Sequence, residues 1–314
     1  MILTNEQIKA IAFGFVYTEE SEKGVRFYKC TKKQIDAWSS LSDFLGSGSR
    51  CTTGIRLDFH TSSKTLTLEA EGRFELHIDG LYSQTLIFDE GRKRTTVSLK
   101  KECVSDDTRV TLIFPSHSAG LLISVELDDG ASVTPHVFDK RLLFIGDSIT
   151  QGWDSGYDSL SYAWRTTSFF NAESVIHGVG GGYFDKDVFD SIDFVPDAVI
   201  VAFGTNDFAY RGSIDEMISH AHGFLSLLST EYKDKKLFYI SPIWRSAQAM
   251  AMGSFDDCRK ALIKEAEDCG FTHIDGITLV PHSSEFYADE ILHPSALGFG
   301  IYAENLIKIL VKHL

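Results

Sequence analysis

The sequence predicts two domains of different class: an all-β sandwich over residues 1–138, then a three-layer α/β domain with a parallel sheet over residues 139–314. Three observations carry this prediction. Apolar and polar residues alternate between about Gly54 and Leu127; beyond Pro135 the apolar residues gather into short, wholly apolar runs; and each of those runs leads through a loop into helical spacing.

In the first half, Ile55, Leu57 and Phe59 recur with period two. So do Phe74, Leu76 and Ile78, and again Leu121, Ile123, Val125 and Leu127, as strands with one buried face require. Thr61-Ser62-Ser63, Asp79-Gly80 and Asp128-Asp129-Gly130 supply turn chemistry between strand-like runs, and no long helical stretch intervenes. An antiparallel, jelly-roll-like sandwich fits. In the second half, Leu142 to Ile145, Ala198 to Phe203 and Leu237 to Ile240 have the continuous apolar character of parallel strands buried on both faces. The segment Ala296 to Leu314 carries Phe299, Tyr302, Ala303, Leu306, Ile307 and Leu310 at spacings of three and four, which predicts an amphipathic helix against the sheet. The boundary falls near residue 138, where Pro135-His136-Val137-Phe138-Asp139-Lys140 leads into the first parallel strand.

A chain of 314 residues with 43% hydrophobic content can build real cores. No apolar run approaches the roughly 18 residues that a membrane span requires. The net charge of −14 is spread along the chain, which disfavours nucleic acid as a partner because a phosphate backbone needs clustered Lys and Arg. Five cysteines (Cys30, Cys51, Cys103, Cys258, Cys269) are an odd number without metal-type spacing and read as reduced thiols. The amino terminus MILTNEQIKAIAFGFVYTEE lacks a basic start followed by a sustained apolar stretch, so the expected location is cytoplasmic.

Four short motifs carry chemistry. Strand Arg141 to Ile145 runs into Gly146-Asp147-Ser148-Ile149-Thr150-Gln151-Gly152, which puts a serine at the carboxyl end of a parallel strand, where open α/β sheets place their active sites; Gly146 is expected to allow a sharp turn. Taken alone, Ser148 reads more readily as a helix N-cap than as a nucleophile. Strand Ala198 to Phe203 ends in Gly204-Thr205-Asn206-Asp207, the cluster Gly178-Val179-Gly180-Gly181-Gly182 lies between, and His293-Pro294 precedes the last helix. Each is weak alone, since glycine clusters are turns and Asn-Asp pairs are caps.

Together, in this order across about residues 141–314, the motifs resemble the four blocks of the SGNH/GDSL hydrolase superfamily. The resemblance implies a flavodoxin-like catalytic domain and a serine esterase with no cofactor and no metal. His293 would take the proton of Ser148 Oγ as it attacks an ester carbonyl. The oxyanion would be held by the Ser148 N–H, a glycine N–H and the Asn206 amide. Gly181 is favoured among the glycines of the cluster and Gly180 comes next. The family's acid usually stands three residues before the histidine, where this chain has Glu290; Asp289 stands four before it, and either could orient the imidazole, or the pair could be a solvated turn beside a Ser–His dyad. Asp147 and Asp207 are expected to bind loop backbone N–H groups rather than a metal.

Trp153 and Trp244 are the aromatics expected to line the site, with Tyr183, Phe184, Phe208, Tyr210 and Arg245 also flanking the motifs. A β-sandwich before an SGNH domain is similar in layout to the carbohydrate acetylesterases of carbohydrate esterase family two. That analogy implies a short-chain acyl ester substrate, O-acetyl groups on a carbohydrate first, with neither nucleic acid nor membrane as partner and homo-oligomerisation left open. A lipase, lysophospholipase or thioesterase would use the same triad, and a catalytically idle carbohydrate-binding protein is the rival from another class.

Overall fold

The computed structural model describes residues 1–99 and 107–314, so Cys103 lies outside the described residues. Internal contacts divide the chain into two units, Met1–Cys30 with Arg50–Phe138, and Thr31–Ser49 with Asp139–Leu314. The single cut after residue 138 therefore needs amending, because residues 31–49 pack with the α/β unit. Their apolar side chains explain why: Ile35, Trp38 and Leu45 are all buried, and Gln34 Nε2 donates to the Val188 carbonyl at 3.3 Å.

In the first unit, ten strands among the described residues form one curled antiparallel sheet. Its main strands are β1 (Gly24–Tyr28), β2 (Arg56–Thr61), β3 (Thr65–Ile78), β4 (Leu81–Phe88), β5 (Arg94–Ser98), β6 (Thr108–Ile113) and β7 (Leu121–Leu127). The long β3 belongs to both layers: its first half pairs with β5 and β7, its second with β4 and β6. The sheet thus closes around Phe27, Leu57, Phe59, Phe74, Leu112, Phe114 and Val125, which is the expected sandwich core. One strand departs from strict alternation. The β3–β7 register shifts between Glu69 and Ala70, and beyond that bulge Leu122 rather than Ile123 points inward, at 0% exposure. One extra residue is enough to exchange the two faces.

The second unit has five parallel strands: β8 (Lys140–Gly146), β9 (Ala172–Gly178), β10 (Ala198–Ala202), β11 (Lys236–Ile240) and β12 (Thr272–Ile274), in the order β9-β8-β10-β11-β12. Around them run helices α1 (Lys32–Leu41), α2 (Asp43–Ser49), α3 (Ser148–Gln151), α4 (Tyr162–Phe169), α5 (Thr205–Tyr210), α6 (Ile214–Glu231), α7 (Phe255–Asp268) and α8 (Ala296–Leu310). Leu142 and Phe144 of β8 share a core with Tyr162 of α4 and with Phe299, Tyr302 and Leu306 of α8. On the opposite face, Phe184 lies against Tyr239 of β11 and Phe224 of α6. This is a three-layer α/β sandwich. Burying each such aromatic or leucine side chain contributes about 1.5–3 kcal/mol, so the helices are held mainly by these faces rather than by helix propensity.

Candidate active site

The strand register brings the motifs together. Gly146 pairs with Gly178 of β9 on one side and with Ala202 of β10 on the other, so three strands end in one row. Because β8 is flanked by strands that follow it in sequence on both sides, the loops beyond this row diverge and leave a crevice between them, as at the switch point of any doubly wound sheet.

Ser148 opens the one-turn α3, capped by Asp147, whose Oδ1 accepts from the Ile149 N–H at 3.0 Å. Helix and strand ends approach too closely for side chains. A Cβ on Gly146 would stand 2.1 Å from Thr150 Oγ1, and one on Gly178 would stand 2.4 Å from the Gln151 nitrogen. Gly146 is therefore needed for close approach rather than for the sharp turn the sequence suggested, since it is absent from the positive-φ glycines.

Ser148 Oγ lies 2.9 Å from His293 Nε2. The other ring nitrogen, Nδ1, lies 2.8 Å from Asp289 Oδ2. Asp289 Oδ1 in turn accepts from the backbone N–H groups of Ile291, Leu292 and His293 at 2.9, 2.7 and 3.0 Å. Burial pushes this carboxyl up, but the N–H groups of Leu292 and Ile291 and the His293 ring outweigh it and hold it below its ordinary value. Asp289 is thus ionised and fixed. Glu290, the residue at the family's usual spacing, does not reach the ring: it is exposed, and its φ of +58° turns the loop there. The loop folds back through the Tyr287–Pro294 bridge, which tucks Asp289 under His293 and leaves position 290 outside.

Of the clustered glycines, Gly180 donates its N–H to Gln151 Oε1 at 2.7 Å and Gly182 donates to the Val179 carbonyl at 2.8 Å. The Gly181 N–H has no acceptor among the described residues, and its φ of +76° is one that glycine adopts at least cost. Asn206, buried in the first turn of α5, donates one amide N–H to the Gly182 carbonyl at 2.9 Å, which leaves the second uncommitted by that bond. Asp207 accepts from the Phe184 N–H at 3.1 and 3.3 Å, so it ties the end of the glycine turn to α5. Burial raises Asp147 and Asp207 alike to about 7.

The two tryptophans part company. Trp153 lies beside His293, ring centroids 6.4 Å apart, and a Cβ on Gly180 would touch it at 3.8 Å. Trp244 instead packs on Tyr287 and His282, centroids 5.0 and 6.2 Å away. Its contacts are with the loop that carries His293 rather than with the imidazole. Arg245 is committed to the Thr205 carbonyl at 2.7 Å and so props the Asn206 turn.

Three contributors escaped the sequence reading. Gln151, three residues after Ser148 on the same helical turn, pins the glycine turn. Asp154 sits at φ +66° with Oδ2 3.7 Å from His293 Nδ1. Phe44 of α2, 61% exposed, would be 3.1 Å from a Cβ on Gly181. Only the Gln151 spacing was visible in the motif itself.

Residues 144–301, half of the chain, match the model of the GDSL-like lipase/acylhydrolase family. The chain belongs to this family. As a GDSL-like acylhydrolase it is a carboxylic ester hydrolase. Its fold is similar to that of a salicylyl-acyltransferase, SsfX3, from a tetracycline biosynthetic pathway (TM-score 0.80, 16% identity, 96% of this chain and 95% of that one). It is also similar to a family two carbohydrate esterase from Clostridium thermocellum in complex with cellohexaose (0.71, 15%, 96% and 98%). A third similar structure is an acetyl xylan esterase from the rumen bacterium Butyrivibrio proteoclasticus (0.59, 18%, 82% and 90%). No curated protein sequence matches the chain. Among the described residues, no helix of this acylhydrolase is long and apolar enough to cross a membrane.

Proposed function

We propose that this acylhydrolase cleaves a short-chain acyl ester, with O-acetylated carbohydrate as its substrate class, through Ser148, His293 and Asp289. The observation that carries the reading is the continuous line from Ser148 Oγ through the two ring nitrogens of His293 to Asp289, at 2.9 and 2.8 Å. An unassisted serine hydroxyl is a poor nucleophile; His293 Nε2 takes its proton as Oγ attacks the ester carbon, and Asp289 holds Nδ1 protonated and stabilises the imidazolium.

Charge then develops on the carbonyl oxygen. The donors for it are the Ser148 N–H, which as a first-turn group has no partner within α3, the Gly181 N–H and the remaining Asn206 N–H. The imidazolium returns the proton to the departing alkoxide, leaving an acyl-Ser148 ester. Water, deprotonated by the same His293, attacks that ester and regenerates the serine. Asp154 is a second carboxylate beside Nδ1 and adds to the stabilisation of the imidazolium from a greater distance. Trp153 and Phe44 are the apolar surfaces flanking the glycine turn that would receive the ester.

Acetylated carbohydrate is favoured over lipid because the structurally similar proteins include carbohydrate esterases. The test compares p-nitrophenyl acetate, butyrate and octanoate, followed by acetate release from acetylated xylan and acetylated cello-oligosaccharides. Acetate preference with release from the polysaccharides supports the reading; octanoate preference points to lipid or thioester substrates. Similarity to a salicylyl-acyltransferase makes acyl transfer to an alcohol the second reading. Ester formation with an added alcohol that outpaces hydrolysis would select it.

A further inference from the structure

Helices α6 and α7 carry a second side-chain cluster, separate from the serine site. His222 Nδ1 lies 2.7 Å from Glu265 Oε1 and 3.9 Å from Cys269 Sγ, and Sγ lies 3.4 Å from the same carboxylate oxygen. A proton relay through an imidazole places its two partners on opposite nitrogens, as at Ser148, His293 and Asp289. Here thiol and carboxylate converge on one nitrogen and on each other, which is the arrangement of ligands around a cation.

The dimensions agree. A triangle with these three edges can be spanned by one ion at about 2.0–2.3 Å from every corner, the range of Zn–N, Zn–O and Zn–S bonds. The remaining nitrogen, Nε2, has Ser226 Oγ at 3.4 Å, a hydroxyl placed to accept the N–H that a metal-bound imidazole presents. Helix α6 contributes residues 222 and 226, one turn apart, and α7 contributes residue 265 together with its C-cap, Cys269. A thiol and an imidazole select zinc or a similarly thiophilic divalent ion over calcium or magnesium.

We propose that His222, Glu265 and Cys269 bind one Zn²⁺ and thereby clip α6 to α7, with the fourth position open to solvent beside the 64% exposed His222 side chain. Binding releases the thiol proton to solvent. Sulfur, nitrogen and oxygen each donate an electron pair to the ion, and nothing is oxidised or reduced. The set is not legible as a spacing motif, because His222 and Cys269 are 47 residues apart along the chain and meet only where the two helices pack.

The test titrates metal-free full-length protein with Zn²⁺ against a chromophoric chelator and uses Co²⁺ as a spectroscopic probe. One equivalent should bind at about micromolar affinity or tighter, raise Tm by about 5 °C at saturation, and give a thiolate-to-cobalt charge-transfer band. Cys269→Ala and His222→Ala should each weaken binding at least tenfold and abolish the band or alter it, while p-nitrophenyl acetate hydrolysis stays unchanged. His222→Gln serves if His222→Ala does not fold. Absence of binding at about 100 μM Zn²⁺, or binding that survives both substitutions, overturns the proposal. The latter would place the ion elsewhere, for instance at Asp154, Asp289 and His293, whose ligand atoms also cluster.

Discussion

At the scale of single residues, Asp289 joins four contacts in one side chain: one oxygen faces Nδ1 while the other gathers three backbone N–H groups. Asp289→Asn should therefore cut kcat by about 10²–10⁴, because the amide favours the wrong tautomer, whereas Glu290→Gln should leave steady-state rates on p-nitrophenyl acetate within about twofold, as surface substitutions usually do. Asp154 predicts a residual rate. Adding Asp154→Asn to Asp289→Asn should lower kcat a further few-fold, read in a double-mutant cycle. Asn206→Ala should lower kcat by about 10²–10³ with little change in KM, as expected for a donor engaged chiefly in the transition state.

At the scale of elements, the row Gly178, Gly146 and Ala202 brings three of the four motifs to one sheet edge, and the loop before α8 brings His293 to Ser148. Gly178→Ala should push a methyl into the Gln151 backbone, where the nearest atoms stand at 2.4 and 2.6 Å, and cost about 1–3 kcal/mol or more of stability by urea denaturation. The serine, asparagine and histidine motifs were legible because each is a short local pattern at a strand end or before a helix. Which carboxylate faces His293 was not, since the placement of Asp289 rather than Glu290 beside the ring depends on the positive φ at position 290 and on a loop closed by the Tyr287–Pro294 bridge. Choosing among the glycines likewise depended on which N–H groups Gln151 and Val179 already hold. Apolar alternation located the sandwich strands, while the bulge at Ile123 was invisible because period two carries no signal for an inserted residue.

At the scale of the whole molecule, Thr31–Ser49 belongs with the α/β unit although it lies far upstream. A fragment of residues 139–314 lacks Trp38 against Gly182 and Phe44 and Leu45 against Gly181. That fragment should show lower thermal stability and esterase activity than the full chain, measured by circular dichroism and p-nitrophenyl acetate hydrolysis. Global stability should also respond to pH through Asp207. Its folded value, raised by burial to about 7 from 3.8, means that its contribution is complete below about pH 4 and is lost as pH rises through 7. Asp207→Asn, permanently neutral, should accordingly lose less stability than the wild type between pH 5 and pH 8, judged by urea midpoints. The central claim is that Ser148 carries the acyl group, and the most direct measurement is p-nitrophenyl acetate turnover by wild type and Ser148→Ala together with the intact mass of each after rapid acid quench. The account predicts an acetylated wild-type species mapping to Ser148, and neither adduct nor turnover above background in the variant; equal turnover, or an adduct mapping to another residue, would contradict it.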